Sequence, residues 1–219
     1  SVDVTAGNDD THTGSDGGTT TVAVVSGHTV TIADSSSNAD PGATATYYFT
    51  ITNTGNADES FAYTTSGNPG SGSTALGMGD SETVAVSHTI GSASAAGDQS
   101  TVTFTSGSES ATATTTTNQI YGVTISLQST TDNGGISPGE TFNAVYTVTN
   151  TGNGADTVTV DFNADWLTGA SGTTHNLAGF GGTGTATATL TAPNDAASDS
   201  SSSITAFATG SGSSGDSGP

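Results

Sequence analysis

The feature that most constrains the fold is an internal repeat, in which residues 41–63 match residues 138–160 at constant register. Each copy begins with Pro-Gly, continues as an alternating apolar stretch, passes through Thr-Asn-Thr-Gly-Asn and enters a second alternating stretch. Apolar and polar residues that alternate with a period of two are typical of β-strands that bury one face. A repeat of this kind indicates two copies of one structural unit, so we expect two homologous β domains.

The two copies agree on which residues face inward. The inward positions before the turn are Ala45, Tyr47, Phe49 and Ile51 in the first copy and Phe142, Ala144, Tyr146 and Val148 in the second. Further strands are predicted at 28–32, 83–90 and 100–105, and at 121–127, 185–191 and 202–208. No stretch has helical periodicity. The pattern therefore predicts an all-β chain made of two tandem antiparallel β-sandwich domains.

The limits of these domains follow from the repeat. We expect the first sandwich over residues 28–117 and the second over 118–209, with the link between them near residues 114–119. Residues 1–27 then form an N-terminal extension, and residues 210–219 form a Gly- and Ser-rich C-terminal tail.

The Thr-Asn-Thr-Gly-Asn motif closes a turn at the end of a strand in each copy. Asn53 and Asn150 are expected to bond their side chains to the backbone, and Gly55 and Gly152 are expected to supply a positive φ. A role of the two asparagines in ligand recognition is the less favoured alternative.

The chain contains no Lys and no Arg, while its 20 Asp and Glu residues give it a formal charge of −20. Proteins that bind nucleic acids or anionic membranes replace counterions with basic side chains, so neither class of partner is expected. No apolar run approaches the ~20 residues of a membrane-spanning helix, so we expect no membrane insertion. Positive charge must come from solvent cations or from a bound ion such as Ca²⁺.

One acidic cluster is a candidate calcium site. Asp9, Asp10 and Asp16 lie near Asn8 and His12 in a stretch that ends with two glycines. Oxygen ligands at short spacing in a Gly-rich loop suit Ca²⁺, although the order of ligands in an EF-hand is absent. The alternative is a solvated turn without a bound ion. No other cofactor is expected.

The residues that enzymes use for catalysis are scattered or missing. The four histidines show no metal-binding spacing, the chain has no cysteine, and no Gly-x-Ser-x-Gly motif occurs. The carboxylates lie beside turns and form no obvious glycosidase pair. We therefore expect a protein that is not an enzyme.

The second copy carries the motifs of a known family: Ser137-Pro138-Gly139-Glu140-Thr141, the run at 146–153, Asp165-Trp166-Leu167, Leu177 and Ala192-Pro193. It resembles the bacterial and archaeal immunoglobulin-like domains related to the CARDB cell-adhesion module. The first copy is similar but lacks the Trp and the Ala-Pro. This resemblance covers about residues 28–208. It implies extracellular immunoglobulin-like sandwiches that serve as spacers, adhesive units or polymer subunits, without catalytic residues.

The N-terminal extension and two outward residues are candidates for contacts between subunits. Val2 and Val4 alternate in one short apolar run, and Val22, Val24 and Val25 form another. Such a segment could add a strand to the open sheet of a second copy, which makes it a candidate donor strand. Tyr48 and Val145 occupy the same outward position in the two copies and would suit a subunit contact.

These observations favour a non-enzymatic, extracellular structural protein of the cell surface, a subunit of a filament or pilus-like homopolymer joined by strand exchange. A chain without Lys or Arg offers trypsin-like proteases no cleavage site, which suits the outside of a cell. O-linked sugars on threonines such as those at 114–117 are a candidate modification. The alternative is an adhesin or carbohydrate-binding module of a larger secreted protein, with Trp166 as the aromatic platform.

Overall fold

The structure is a computed structural model that describes residues 2–5, 13–132 and 134–216, with side chains for 17–132 and 134–215. The described residues form 18 strands and no helix. No helix that could cross a membrane is therefore present in this part of the chain.

The strands up to residue 117 are β1 Val2–Thr5, β2 Thr13–Asp16, β3 His28–Ile32, β4 Ser36–Ala39, β5 Thr44–Asn53, β6 Glu59–Thr65, β7 Ser71–Leu76, β8 Ser81–Thr89, β9 Gln99–Ser106 and β10 Glu109–Thr117. The later strands are β11 Val123–Thr130, β12 Thr141–Asn150, β13 Asp156–Ala164, β14 Leu167–Ser171, β15 Thr174–Leu177, β16 Gly182–Thr191, β17 Ile204–Thr209 and β18 Ser214–Asp216.

The strands form several sheets, as a β-sandwich requires. Up to residue 117 the orders are β4-β10-β9-β6-β7 and β3-β5-β8; beyond it they are β11-β12-β16-β14 and β15-β13-β17-β18. The long pairs β11–β12 and β12–β16 are antiparallel, whereas β4 and β10 run parallel. The fold is all-β with several antiparallel sheets, which confirms the expected fold class at this level.

The chain divides into two compact units. The first comprises residues 1–33, 48–86 and 103–111, and the second comprises residues 34–47, 87–102 and 112–219. These limits differ from the expected domains at 28–117 and 118–209. The two-domain arrangement therefore stays a prediction.

The inward face expected from the alternation is the buried face of both long repeat strands. Phe49 and Ile51 of β5 are fully buried, as are Ala144 and Val148 of β12. The residues between them are more exposed, because successive side chains of a strand point to opposite faces. In the first unit Phe49 stacks on Phe104 with ring centroids 5.1 Å apart.

The core of the second repeat is one cluster of apolar side chains from its two sheets. Its buried members are Val123, Ile125, Ala144, Tyr146, Val148, Val158, Val160, Leu177, Ala186, Ala188, Leu190, Ala206 and Ala208. Many of them are alanines, so each removes little apolar area from water compared with Val, Leu or Phe. Phe162, Trp166 and Leu167 are partly buried and pack against the cluster.

The expected link at 114–119 is wrong in its first four residues, which are the end of strand β10. Thr115 and Thr117 are buried, and the Tyr47 hydroxyl lies 2.6 Å from the Thr115 hydroxyl. An uninterrupted run of threonines shows no apolar alternation, yet the β-branched side chain suits a strand and its hydroxyl finds a partner. The stretch between β10 and β11 is residues 118–122.

Several short strands were not predicted from the sequence, both within the repeats and near the C-terminal end of the described residues. The tail expected at 210–219 contains β18, which pairs with Phe207, Ala208 and Thr209 of β17. Strands β4, β7, β14 and β15 are likewise short and rich in Ser, Thr, Gly and Asn. Sequences of this kind resemble loops, so only pairing with a neighbouring strand makes them regular.

Candidate interaction site

The asparagines that end β5 and β12 organise two equivalent turns. The Asn53 amide nitrogen Nδ2 donates to the carbonyls of Ala57 (2.8 Å) and Leu76 (3.1 Å), and Oδ1 accepts from the Gly55 amide at 2.8 Å. Both asparagine side chains are almost completely buried. Such a turn is held by side chain-to-backbone bonds.

In the second turn, Asn150 repeats these bonds. Nδ2 donates to the carbonyls of Gly154 (2.9 Å) and Leu177 (3.2 Å), and Oδ1 accepts from the Gly152 amide at 2.9 Å. Each turn thus binds the strand end to a more distant part of its own repeat.

The expectation that Gly55 and Gly152 supply a positive φ is wrong, since neither lies in the left-handed region. Both positions require glycine for space. A Cβ on Gly55 would lie 2.6 Å from the Val25 carbonyl oxygen, and a Cβ on Gly152 would lie 2.3 Å from that of Ile120. The backbone that precedes each repeat passes too close to the turn for a side chain.

The last asparagine of each motif holds that preceding backbone. Asn56 donates its amide to the Val25 carbonyl (3.0 Å), accepts the Val25 amide on Oδ1 (2.7 Å) and donates from Nδ2 to the Ala23 carbonyl (2.9 Å). The Gly27 carbonyl accepts from the Thr54 and Gly55 amides. We call residues 23–27 and 118–122 the lead segments.

Asn153 holds the second lead segment with the same set of bonds. It donates its amide to the Ile120 carbonyl (3.1 Å), accepts the Ile120 amide on Oδ1 (2.7 Å) and donates from Nδ2 to the Asn118 carbonyl (2.9 Å). The Thr151 amide donates to the Gly122 carbonyl at 2.8 Å. Residues ahead of the first repeat are therefore bound like the residues that connect β10 to β11.

The structure places the N-terminal residues expected at a subunit interface in two settings. Val2 and Val4 lie in β1, opposite Asp16 and Gly14 of β2 in an antiparallel pair. Val22, Val24 and Val25 lie outside any strand, and their side chains are 87%, 72% and 61% exposed. Three exposed valines within four residues form an apolar patch whose contact with water is unfavourable.

The outward pair differs between the repeats. Tyr48 is 58% exposed on β5, whereas Val145 on β12 is half-buried. The face of β5 around Tyr48 carries hydroxyl groups paired with those of β8. The pairs are Thr44 with Thr89, Thr46 with Ser87, Thr50 with Thr83 and Thr52 with Ser81. Thr115 and Thr117, within the stretch expected to carry O-linked sugars, are buried, and the modification stays a prediction.

The candidate calcium ligands lie largely beyond what the structure describes. Asp9 and Asp10 are outside the described residues, and Asp16 is described as a backbone position of β2 only. Within the described part of the chain, no group of three His, Asp or Glu residues is placed to hold a metal ion.

Two cavities of the second unit lie beside residues that make structural contacts. One of about 350 Å³ lies beside Asp156, whose carboxylate accepts hydrogen bonds from the amide and hydroxyl of Ser211. Another, of about 220 Å³, is lined by Trp166, Pro138 and the loop at 196–200. Trp166 packs against the second core, so only part of its ring is open to a ligand.

The role of Asn56 and Asn153 in holding the lead segments was not predicted from the sequence. The available signal was that Thr-Asn-Thr-Gly-Asn carries a second asparagine in both copies. A turn needs only the first asparagine, so retention of the second could have pointed to another backbone partner.

No family model matches the chain, and no curated protein matches it either. The likeness to CARDB-related immunoglobulin-like domains therefore stays a prediction from the motifs.

Proposed function

We propose that this protein is a non-enzymatic structural subunit of an extracellular, cell-surface homopolymer, whose copies are joined by strand exchange through the N-terminal segment. The observation that carries the proposal is that residues 17–22, directly ahead of the first lead segment, are exposed and have no strand partner among the residues that the structure describes. The corresponding residues ahead of the second lead segment are the end of β10, which lies between β4 and β9.

The two stretches are alike in sequence as well as in position. Thr19, Thr20 and Thr21 precede the first lead segment as Thr114, Thr115 and Thr116 precede the second. A stretch suited to a strand but without a partner can add to the sheet edge of another molecule. Within the chain, β10 lies in a sheet of the first repeat, and the second lead segment follows it. By analogy, the residues ahead of the first lead segment would pair with a sheet of the second repeat in a neighbouring copy.

The alternating and hydroxyl-rich strands also suit a filament outside the cell. Sheet pairing uses backbone groups and needs no ion pairs, which suits a chain that has no Lys or Arg to pair with its 20 carboxylates. Antibody labelling of intact cells would show the protein on the surface if the proposed location is right.

The experiment is electron microscopy and native mass measurement of residues 1–219 beside a variant that lacks residues 1–22. The full chain should form long assemblies, and the shortened chain should stay monomeric while keeping the lead segment at 23–27. Protein comprising residues 1–219 that remains a monodisperse monomer at every salt and protein concentration would overturn the proposal.

The cavity beside Trp166 favours a second function, carbohydrate binding by an adhesin or by a module of a larger secreted protein. An aromatic ring at a cavity rim can stack on a sugar. Glycan-array binding that is lost in Trp166→Ala but kept in Tyr121→Ala, a change at an exposed aromatic elsewhere, would support it. Equal arrays for both variants and the parent would refute it.

A further inference from the structure

The second lead segment has one contact that the first lacks. Asn153 also donates from Nδ2 to the Ser94 carbonyl (3.2 Å), and its own carbonyl accepts the Ala96 amide (3.1 Å). These atoms all belong to the second compact unit. The loop at 91–98 thereby covers Asn153, which is only 6% exposed.

Asn56 has the same bonds to its lead segment but no such cover. Its side chain is exposed, and its carbonyl has no hydrogen-bond partner among the residues that the structure describes. The exposed Val22, Val24 and Val25 lie in and beside the segment that it holds. Asn153 binds the loop at 91–98 through Nδ2 and its backbone carbonyl. Asn56 has the same two groups, and no loop covers them among the described residues.

The chain carries a second loop of the same form at 193–200. The Ala196 amide donates to the Pro193 carbonyl and the Ser200 amide to the Ala197 carbonyl, as Ser94 does to Gly91 and Asp98 to Ala95. Asp199 has a φ of 68°, where its counterpart Gly97 has 84°. The loops also start alike, since the Gly42 amide donates to the Ile90 carbonyl and the Gly139 amide to the Ala192 carbonyl.

This second loop is largely exposed. By the match of the two loops, the Ala196 carbonyl stands where the Ser94 carbonyl does, and the Ser198 amide stands where the Ala96 amide does. Neither atom has a hydrogen-bond partner among the described residues. Asn56 and the loop at 193–200 are therefore both exposed, and they match the two surfaces that meet in the contact between Asn153 and the loop at 91–98.

We propose that the loop at 193–200 of one copy docks on Asn56 of the next copy and reproduces the contact between the loop at 91–98 and Asn153. The partner is a second copy of this chain, joined head to tail. A contact between two different surfaces of the same molecule does not close on itself, so it extends into a filament.

The inference rests on the proposed self-assembly and names the surfaces that meet. It is compatible with strand exchange, because both contacts join the second repeat of one copy to the first repeat of the next. Within one chain, strand β10, the lead segment at 118–122 and the contact of the loop at 91–98 with Asn153 occur together. The proposed joint repeats this arrangement between two copies.

One difference sets the tightness of the joint. Gly154 receives the Asn150 bond as Ala57 receives the Asn53 bond, so Ala57 stands where the internal contact has glycine. A Cβ on Gly154 would lie 2.8 Å from the Ala96 Cβ. The loop of a neighbouring copy must therefore stand slightly farther from Ala57, and Ala57→Gly should strengthen association.

Engineered cysteines test the joint directly, since the natural chain has none. The double variant A57C/S198C should form disulfides between copies and give a ladder of dimers, trimers and longer chains on a non-reducing gel. The matched internal pair, A96C/G154C, should form a disulfide within one chain. A control pair at an unrelated exposed site, T64C/S198C, should give no ladder.

Association without cross-links provides the second measurement. Ser198 is the first central residue of the turn at 197–200, where proline is favoured, so Ser198→Pro removes the donor amide with little strain. The association constant from sedimentation should fall roughly 3- to 10-fold, as for one lost hydrogen bond. Ala57→Gly should raise it.

The outcomes separate this joint from the proposed function. Filaments without 57–198 cross-links, and with unchanged association in Ser198→Pro, would overturn the joint and leave self-assembly through another contact. The absence of any assembly would overturn both. A ladder from A57C/S198C together with a weaker Ser198→Pro variant supports both.

Discussion

Asn53 and Asn150 are buried at the ends of equivalent strands and make the same three hydrogen bonds to the backbone of their own repeats. In each case one bond reaches the leucine that ends a distant strand, Leu76 or Leu177. The turn, the strand end and the following strands are thereby tied together without any charged group.

Asn150→Ala should lower the free energy of unfolding by about 2–4 kcal/mol. The change leaves the partly buried Gly154 carbonyl and the buried Leu177 carbonyl without their donor, and an unsatisfied buried group costs about 1–3 kcal/mol. Denaturant titration measures the effect. Asn176→Ala, on an exposed side chain bonded to Thr157, should change stability by less than about 0.5 kcal/mol. Equal losses in the two variants would contradict the role given to Asn150.

Gly152→Ala should displace the lead segment at 118–122, because the new Cβ would meet the Ile120 carbonyl. We expect lower stability and faster amide exchange in residues 118–122. Gly135→Ala is the control: no atom lies within 4 Å of a Cβ there, and its φ is not positive. That variant should keep the stability of the parent, and hydrogen exchange of both variants compares them.

Tyr47→Phe should destabilise the chain by about 1–2 kcal/mol, whereas Tyr48→Phe should have no measurable effect. The Tyr47 hydroxyl lies 2.7 Å from the Ser37 hydroxyl and 2.6 Å from that of Thr115, so its removal leaves a buried Thr115 hydroxyl without this partner. The adjacent Tyr48 side chain is mostly exposed. Thermal unfolding of the two variants is the measurement, and equal effects would argue against a structural role for the Tyr47 hydroxyl.

Assembly should weaken at low ionic strength before the strands unfold. Each copy carries a formal charge of −20, and copies that approach one another repel unless cations screen them. Sedimentation measures association and circular dichroism measures folding across a series of NaCl concentrations. Loss of assembly on chelation at high NaCl would indicate calcium ligands such as Asp9, Asp10 and Asp16, and assembly that ignores both treatments would contradict the role of cations.

The strand content of the repeats could be predicted from the residues alone, because the period-two alternation is a property of any strand with one buried face. This holds for the faces that carry Phe49 and Val148. It fails for β10, where a run of threonines becomes a core strand only because Tyr47 and the neighbouring strands surround it.

The candidate site could be predicted only in part. The sequence placed Asn53 and Asn150 in turns, and their bonds to residues two and four positions later follow from the motif. Their bonds to the distant Leu76 and Leu177 do not. It could not show that Gly55 and Gly152 are required for space, because that depends on backbone about 30 residues earlier in the chain.

By itself the sequence determined the class of the chain, because strands with period-two alternation predict the all-β fold that the structure has, and it fixed a charge of −20 with no Lys or Arg. Tertiary structure alone decided that the two lead segments are bound alike, that one of them is covered by the loop at 91–98, and that Asn56 and the loop at 193–200 stay open. The physical reason is separation along the sequence. Alternation depends on neighbouring residues, whereas these contacts join groups more than 30 residues apart that only folding brings together.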